Sequence, residues 1–215
     1  SGLTTASDRT QQAPSPSWSN WLYPMAFDGL LASAGAQCGD RQWTFEKLAQ
    51  VCDRFPDDRF IYIVTACENQ SSAIAAELIR QCRDRIVAYH CCENVGSSTK
   101  RAWEFIRSIA AQLAPHMPQY AQQLERQDVQ DALTTENCKD DPVRAFEAGI
   151  ASPLCRCNAP ADGDRWIVID QLCEANFITS HERVWGLVRD YASRLPDWLR
   201  IVATEQFQLG RDYAE

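Results

Sequence analysis

The chain has 215 residues, 45% of them hydrophobic, enough for one globular domain with a core and some loose ends. Its 21 Lys and Arg stand against 29 Asp and Glu, and the formal net charge of −8 argues against nucleic acid or an anionic membrane surface as the main partner. No apolar run approaches the roughly 18 to 20 residues that cross a bilayer, so no membrane insertion is expected.

Residues 1–12, SGLTTASDRTQQ, lack the basic and apolar regions of a signal peptide, which points to a cytoplasmic protein. With Ser rather than Met at residue 1, the chain reads as a fragment or a processed form. Residues 1–36 are rich in Ser, Thr, Gln and Pro and read as a flexible linker, whose aromatic part PSPSWSNWLYP is suited to dock its rings on the core. The domain proper is expected over 37–206, with a short tail at 207–215. In GDRQWTFEKLAQVCDRF, Trp43, Phe45, Leu48, Val51 and Cys52 fall near one side of a 3.6-residue period, which predicts an amphipathic helix. A β-rich apolar run at 60–65, a helix at 71–83 and a second strand at 85–91 follow.

Trp103, Ile106, Ile109, Ala110 and Leu113 mark a helix over 99–113, which Pro115 and Pro118 should end. A shorter helix is expected at 119–126. Asp141 is placed to cap a helix with Pro142 at its first position, and Pro153 should stop that helix near residue 152. After the loop CRCNAPADGD come a third buried strand at 165–170, a helix at 182–194 and a fourth strand at 199–204. Continuously apolar strands alternating with helices predict an α/β doubly wound parallel sheet in three layers. Ligands in such folds sit at the carboxyl ends of the strands, just after Val64, His90, Ile169 and Ala203.

The ten cysteines are scattered through these elements, the pattern of reduced thiols rather than a disulfide scaffold. His90, Cys91, Cys92, Cys155 and Cys157 could be imagined around zinc, but adjacent cysteines on a strand face opposite ways and no CxxC pair is present. His90 is expected as a satisfied, half-buried histidine, and His116 and His181 as solvated loop residues. Trp198 should cover the start of the fourth strand. No GxSxG, HExxH or Cys–His pattern suggests nucleophilic or zinc hydrolysis.

The first strand, turn and helix occupy the place of a phosphate-binding loop, GxxxxGK[ST], in which glycines admit the phosphate, Lys neutralises it and the hydroxyl binds magnesium. The matching frame runs from Thr65 to Ser72. Thr65 and Gln70 stand at the glycine positions, Ser71 at the lysine position, and Ser72 alone keeps the expected chemistry. The third strand, WIVID, ends in Asp170, as does the strand whose carboxylate holds magnesium in nucleoside triphosphatases. Glu174 follows at a distance suited to orienting or deprotonating a water.

Taken together, GDRQWTFEKL, IYIVTACENQSSAIAAELI, RIVAYHCC, EFIRSIAAQL, DPVRAFEAGIASPL, WIVIDQLCEA and LPDWLRIVAT resemble the NACHT-like P-loop domain of the STAND class. Within it, the resemblance is to the domain that precedes the ankyrin repeats in scaffolds with tetratricopeptide, ankyrin and coiled-coil regions. It implies an entry helix at Gly39, Asp40 and Arg41, a magnesium-ligand hydroxyl at Ser72 with Asp170 as its carboxylate partner, an acidic Glu174, and a sensor position at Thr204 to Gln206. The departures matter more than the matches. Each lost charge-assisted contact removes about 1.5–3 kcal/mol. Glu68 adds a carboxylate where a tri-anion should sit, and side chains replace both glycines. The sum exceeds about 4 kcal/mol, roughly a thousandfold in affinity.

The expectation is therefore a degenerate NTPase-like module of an intracellular scaffold. Its partners are other proteins or other domains of the same scaffold, and it has no resident cofactor and little or no hydrolysis. The alternative is a working ATP- and magnesium-dependent switch using Ser72, Asp170 and Glu174, with a basic residue borrowed from Arg41, Arg80 or Arg83. A sheet without the fourth strand between the first and third would instead favour an unrelated α/β enzyme such as a hydrolase.

Overall fold

Strands β1 (Phe60–Thr65), β2 (Ile86–Cys91), β3 (Arg165–Asp170) and β4 (Leu199–Gln206) form one all-parallel sheet in the order β1-β4-β3-β2. The computed structural model describes residues 17–25, 42–65, 70–92, 99–172 and 181–206, and all four expected strands lie within them. The fourth strand lies between the first and the third. It runs two residues beyond its apolar stretch because Glu205 and Gln206 continue the ladder opposite Val64 and Thr65.

Both faces of the sheet are covered, which is why the strands read as continuous apolar runs. Ile167, Ile169, Ile201 and Ala203 face the main core with α3 (Ala102–His116) and α9 (Val184–Tyr191). On the opposite face, Ile61, Trp166 and Val202 pack with Leu48 of α1 (Gln42–Arg54) and Ile74 and Leu78 of α2 (Gln70–Gln81). Tyr89, Cys91 and Val168 pack there with Ala75. Trp198 is buried beside the start of β4, and its carbonyl accepts the Arg165 N–H at 2.7 Å. Trp18, Trp21 and Leu22 dock on the main core, and the Arg107 guanidinium holds the segment by donating to the Trp21 carbonyl at 2.7 Å. At the outer edge of β2, the Gln112 amide takes the place of a neighbouring strand. It accepts the Tyr89 N–H at 2.8 Å and donates to the Tyr89 carbonyl at 2.9 Å.

The helical excursion between β2 and β3 departs most from expectation. The α3 helix continues past Pro115 to His116, and the Met117 N–H closes the last turn on the Leu113 carbonyl at 2.9 Å. After α4 (Pro118–Gln123), two short helices appear that periodicity did not mark, α5 (Gln127–Ala132) and α6 (Thr135–Asp140). Their buried anchors are Val129 and Cys138, too few to make a stripe, and the Thr134 hydroxyl caps α6 by accepting the Asn137 N–H at 3.3 Å. Asp141 caps α7 (Pro142–Phe146) as expected, accepting the Arg144 N–H at 3.0 Å.

That helix does not stop at residue 152. It widens into a π turn at Glu147–Ala151 and resumes as α8 (Ser152–Cys155). Pro153 has no N–H to offer Gly149 in α register, so the Ser152 N–H closes on Glu147, five residues back. The fully buried Tyr120 hydroxyl donates to the Gly149 carbonyl instead, at 2.8 Å. Glycine is needed here because a Cβ would come within 2.5 Å of the Leu133 side chain.

Candidate functional site

Strand alternation gathers the polar residues at the carboxyl ends of three strands on the α2 face. Asp170 ends β3 opposite Cys91, and the Ile169–Ala203 pairing brings Thr204 alongside. The Asp170 side chain is buried, with 2% exposure. Its Oδ1 accepts the Thr204 hydroxyl at 2.8 Å, and its Oδ2 faces the Tyr89 hydroxyl at 3.5 Å and the Cys91 thiol at 3.8 Å. The Ser72 hydroxyl and the Gln171 backbone N–H favour its charged form. Burial raises the Asp170 pKa above the ordinary carboxylate value, and these hydrogen bonds oppose that rise. Tyr89 is pushed upward, first by burial and then by the neighbouring carboxylate, so its hydroxyl keeps its proton and acts as a donor.

Across the cluster, α2 begins at Gln70. Ser71 is buried at 1% exposure and Ser72 is half-buried. The Ser72 oxygen accepts from Gln171 Nε2 at 2.8 Å. Gln171 is the only non-glycine residue with positive φ among the described residues, at 53°. A backbone of that kind in a non-glycine residue costs on the order of 1–2 kcal/mol, which the surrounding contacts have to offset.

The structure thus brings Ser72, Asp170 and Thr204 together and adds Gln171, Tyr89 and Cys91, which the motif did not include. The signal for Tyr89 and Cys91 was strand parity: being odd-numbered, they share a face, and His90 takes the other. His90 is wholly buried rather than half-buried, with Nε2 donating to the Thr99 carbonyl at 2.6 Å and its ring edge on Phe105. Burial lowers its pKa to about 4, against the opposing pull of the Thr99 hydrogen bond. His181 is not simply solvated, since its Nε2 meets Asp190 at 3.0 Å, and His116 lies in the last turn of α3 rather than in a loop.

Thr65 and Gln206 belong to the β1–β4 ladder rather than to this cluster. The buried Thr65 hydroxyl turns onto its neighbouring strand, donating to the Glu205 carbonyl at 3.1 Å, and Gln206 pairs in register with Thr65. Gly39, Arg41, Glu68 and Glu174 lie outside the described residues. Arg80 does not serve Ser72. It lies eight residues further along α2, about 12 Å at 1.5 Å per residue, and its Nε donates to Glu77 at 2.8 Å. Arg83 is further still, beyond the end of the helix.

An apolar cavity of about 530 Å³ runs along β1, lined by Val51, Phe55 and Ile63 and reaching Thr65 and Gln70. Another, of about 540 Å³, lies among Asp128, Asp131, Asp140, Asp141 and Arg144. Neither is lined by Ser72 or Asp170. Cys52, Cys82, Cys91, Cys92, Cys138, Cys155 and Cys157 are free thiols, and no metal-binding group of three or more His, Cys, Asp or Glu occurs among the described residues. No described helix is long and apolar enough to cross a membrane.

Residues 70–205 match the family described as Nephrocystin 3, N-terminal. This span begins with α2, ends one residue short of the end of β4, and contains the whole cluster around Asp170. No solved structure matches the chain.

Proposed function

The chain belongs to the nephrocystin 3 N-terminal family, and from that premise we propose that it is a degenerate P-loop NTPase-like domain. It serves as a structural or regulatory module of an intracellular scaffold of the ankyrin-repeat type, with little or no nucleotide hydrolysis. The P-loop assignment is supported by the position of β4 between β1 and β3 and by the bond that joins Ser72, in the helix after β1, to Gln171, the residue after the aspartate ending β3. The scaffold assignment is supported by the sequence resemblance alone, a warrant by analogy.

The observation that carries the loss of function is the closed state of the Ser72–Asp170 pair. In P-loop enzymes a serine or threonine and an aspartate at these positions hold magnesium on the nucleotide phosphates. The residues present here do not fit that ion. The Ser72 oxygen receives an amide N–H, and the Asp170 carboxylate receives hydrogens from neutral donors. Ser71 brings no cation to the phosphate position.

Ligand linkage tests the proposal through denaturant unfolding of the 215-residue chain with and without 5 mM magnesium–ATP. A working site with a dissociation constant near 5 μM would add about 4 kcal/mol. The expected result is no change in midpoint, and an increase of that size would contradict the proposal.

A further inference from the structure

We infer that the Gln171 side chain is an internal plug of the cation position, in which its amide stands where a divalent ion would meet Ser72. The inference rests on the function proposed above and identifies the residue that closes the site. Three independent observations converge on Gln171.

Its Nε2 lies 2.8 Å from the Ser72 oxygen, an amide donor directed at the atom that would coordinate metal. Magnesium requires oxygen lone pairs at about 2.0–2.1 Å in near-octahedral array and is repelled by N–H dipoles pointing into its shell. Gln171 follows Asp170 directly in the chain, so its amide joins the end of β3 to Ser72, one of the two would-be ligands.

The second observation is conformational. Gln171 holds φ at 53°, a region that glycine enters freely and glutamine does not. A long amide side chain at such a position has to be retained by its contacts, and the Ser72 bond is the contact observed. The third is compositional. The amide is neutral and does not titrate, so the closure persists across the pH range in which the protein folds. The plug ties the end of β3 to the first turn of α2, a link of the kind that a bound cation would make in its place.

The test is manganese binding to the chain without nucleotide, read as paramagnetic broadening of the amide signals of Ser72, Asp170 and Thr204. Wild type is compared with Gln171→Gly, which suits the positive φ, and with Gln171→Asn, which tolerates it but is one methylene too short to reach Ser72. Both variants should broaden at about tenfold lower manganese than wild type, the equivalent of one lost hydrogen bond. Equal broadening in wild type and variants, or none in any of them, would overturn the plug. Magnesium–ATP binding by wild type would instead overturn the proposed function, so the two failures are separable. The Asn variant guards against a misleading loss of fold in the Gly variant, and amide spectra of both report folding directly.

Discussion

Lowering the pH from 7 to 5 should destabilise the domain through His90, and the size of the effect follows from its burial. Its pKa is about 4 in the folded protein and 6.5 in the unfolded chain, because the apolar core around Phe105 disfavours the imidazolium. A base whose folded pKa is depressed leaves stability intact above 6.5. That stability is lost as pH falls toward 4, since the unfolded chain binds the proton first. The full difference is about 3 kcal/mol at 1.36 kcal/mol per pH unit, and roughly 2 kcal/mol of it appears between pH 7 and pH 5. Urea unfolding of wild type and His90→Gln at several pH values isolates the term, because His116 and His181 contribute equally to both proteins. The glutamine amide can still donate toward the Thr99 carbonyl. Wild type should lose about 2 kcal/mol more than the variant over that interval. Parallel pH profiles, or a His90 ring signal titrating near pH 6.5 in the folded protein, would contradict a buried, neutral His90.

Three further outcomes are expected. Tyr120→Phe should cost about 1–3 kcal/mol by leaving the Gly149 carbonyl without its hydroxyl donor, and less in a Pro153→Ala background that restores an N–H one turn on; a double-mutant cycle in urea reads the coupling. Arg200→Lys should cost about 1–2 kcal/mol, measured the same way. A single ammonium cannot span Asp164 and the carbonyls of Phe55, Pro56 and Asp58, which the buried guanidinium joins across the α1–β1 connection. For Asp170, whose folded pKa is raised, the charged form is the disfavoured one. The stability of wild type relative to Asp170→Asn should fall as pH rises from 3.8 to the raised value and then level off, which thermal melts across that range would show.

The sheet was readable in the sequence because a strand buried on both faces must be apolar at nearly every position, and β3 is buried from Trp166 to Asp170. The Asp141–Pro142 start was equally plain, since cap chemistry is local. What escaped depends on contacts between distant segments. Nothing near Pro153 announces that Tyr120 will supply the missing donor, so a helix expected to end continued through a π turn. Val129 and Cys138 bury α5 and α6 without any stripe.

At the site, Ser72, Asp170 and Thr204 were named from the sequence, and the position just after His90, which is Cys91, was marked only as a strand end, with no residue type there to announce a contact with Asp170. Gln171 was passed over because its role depends on a backbone angle that no side-chain pattern encodes.

In the proposed function, the Ser72–Asp170 pair does not hold a magnesium–nucleotide complex. Titration calorimetry of the chain with ATP in the presence of magnesium tests it most directly. No binding heat is expected at millimolar ligand, and a saturable isotherm in the micromolar range would contradict the proposal.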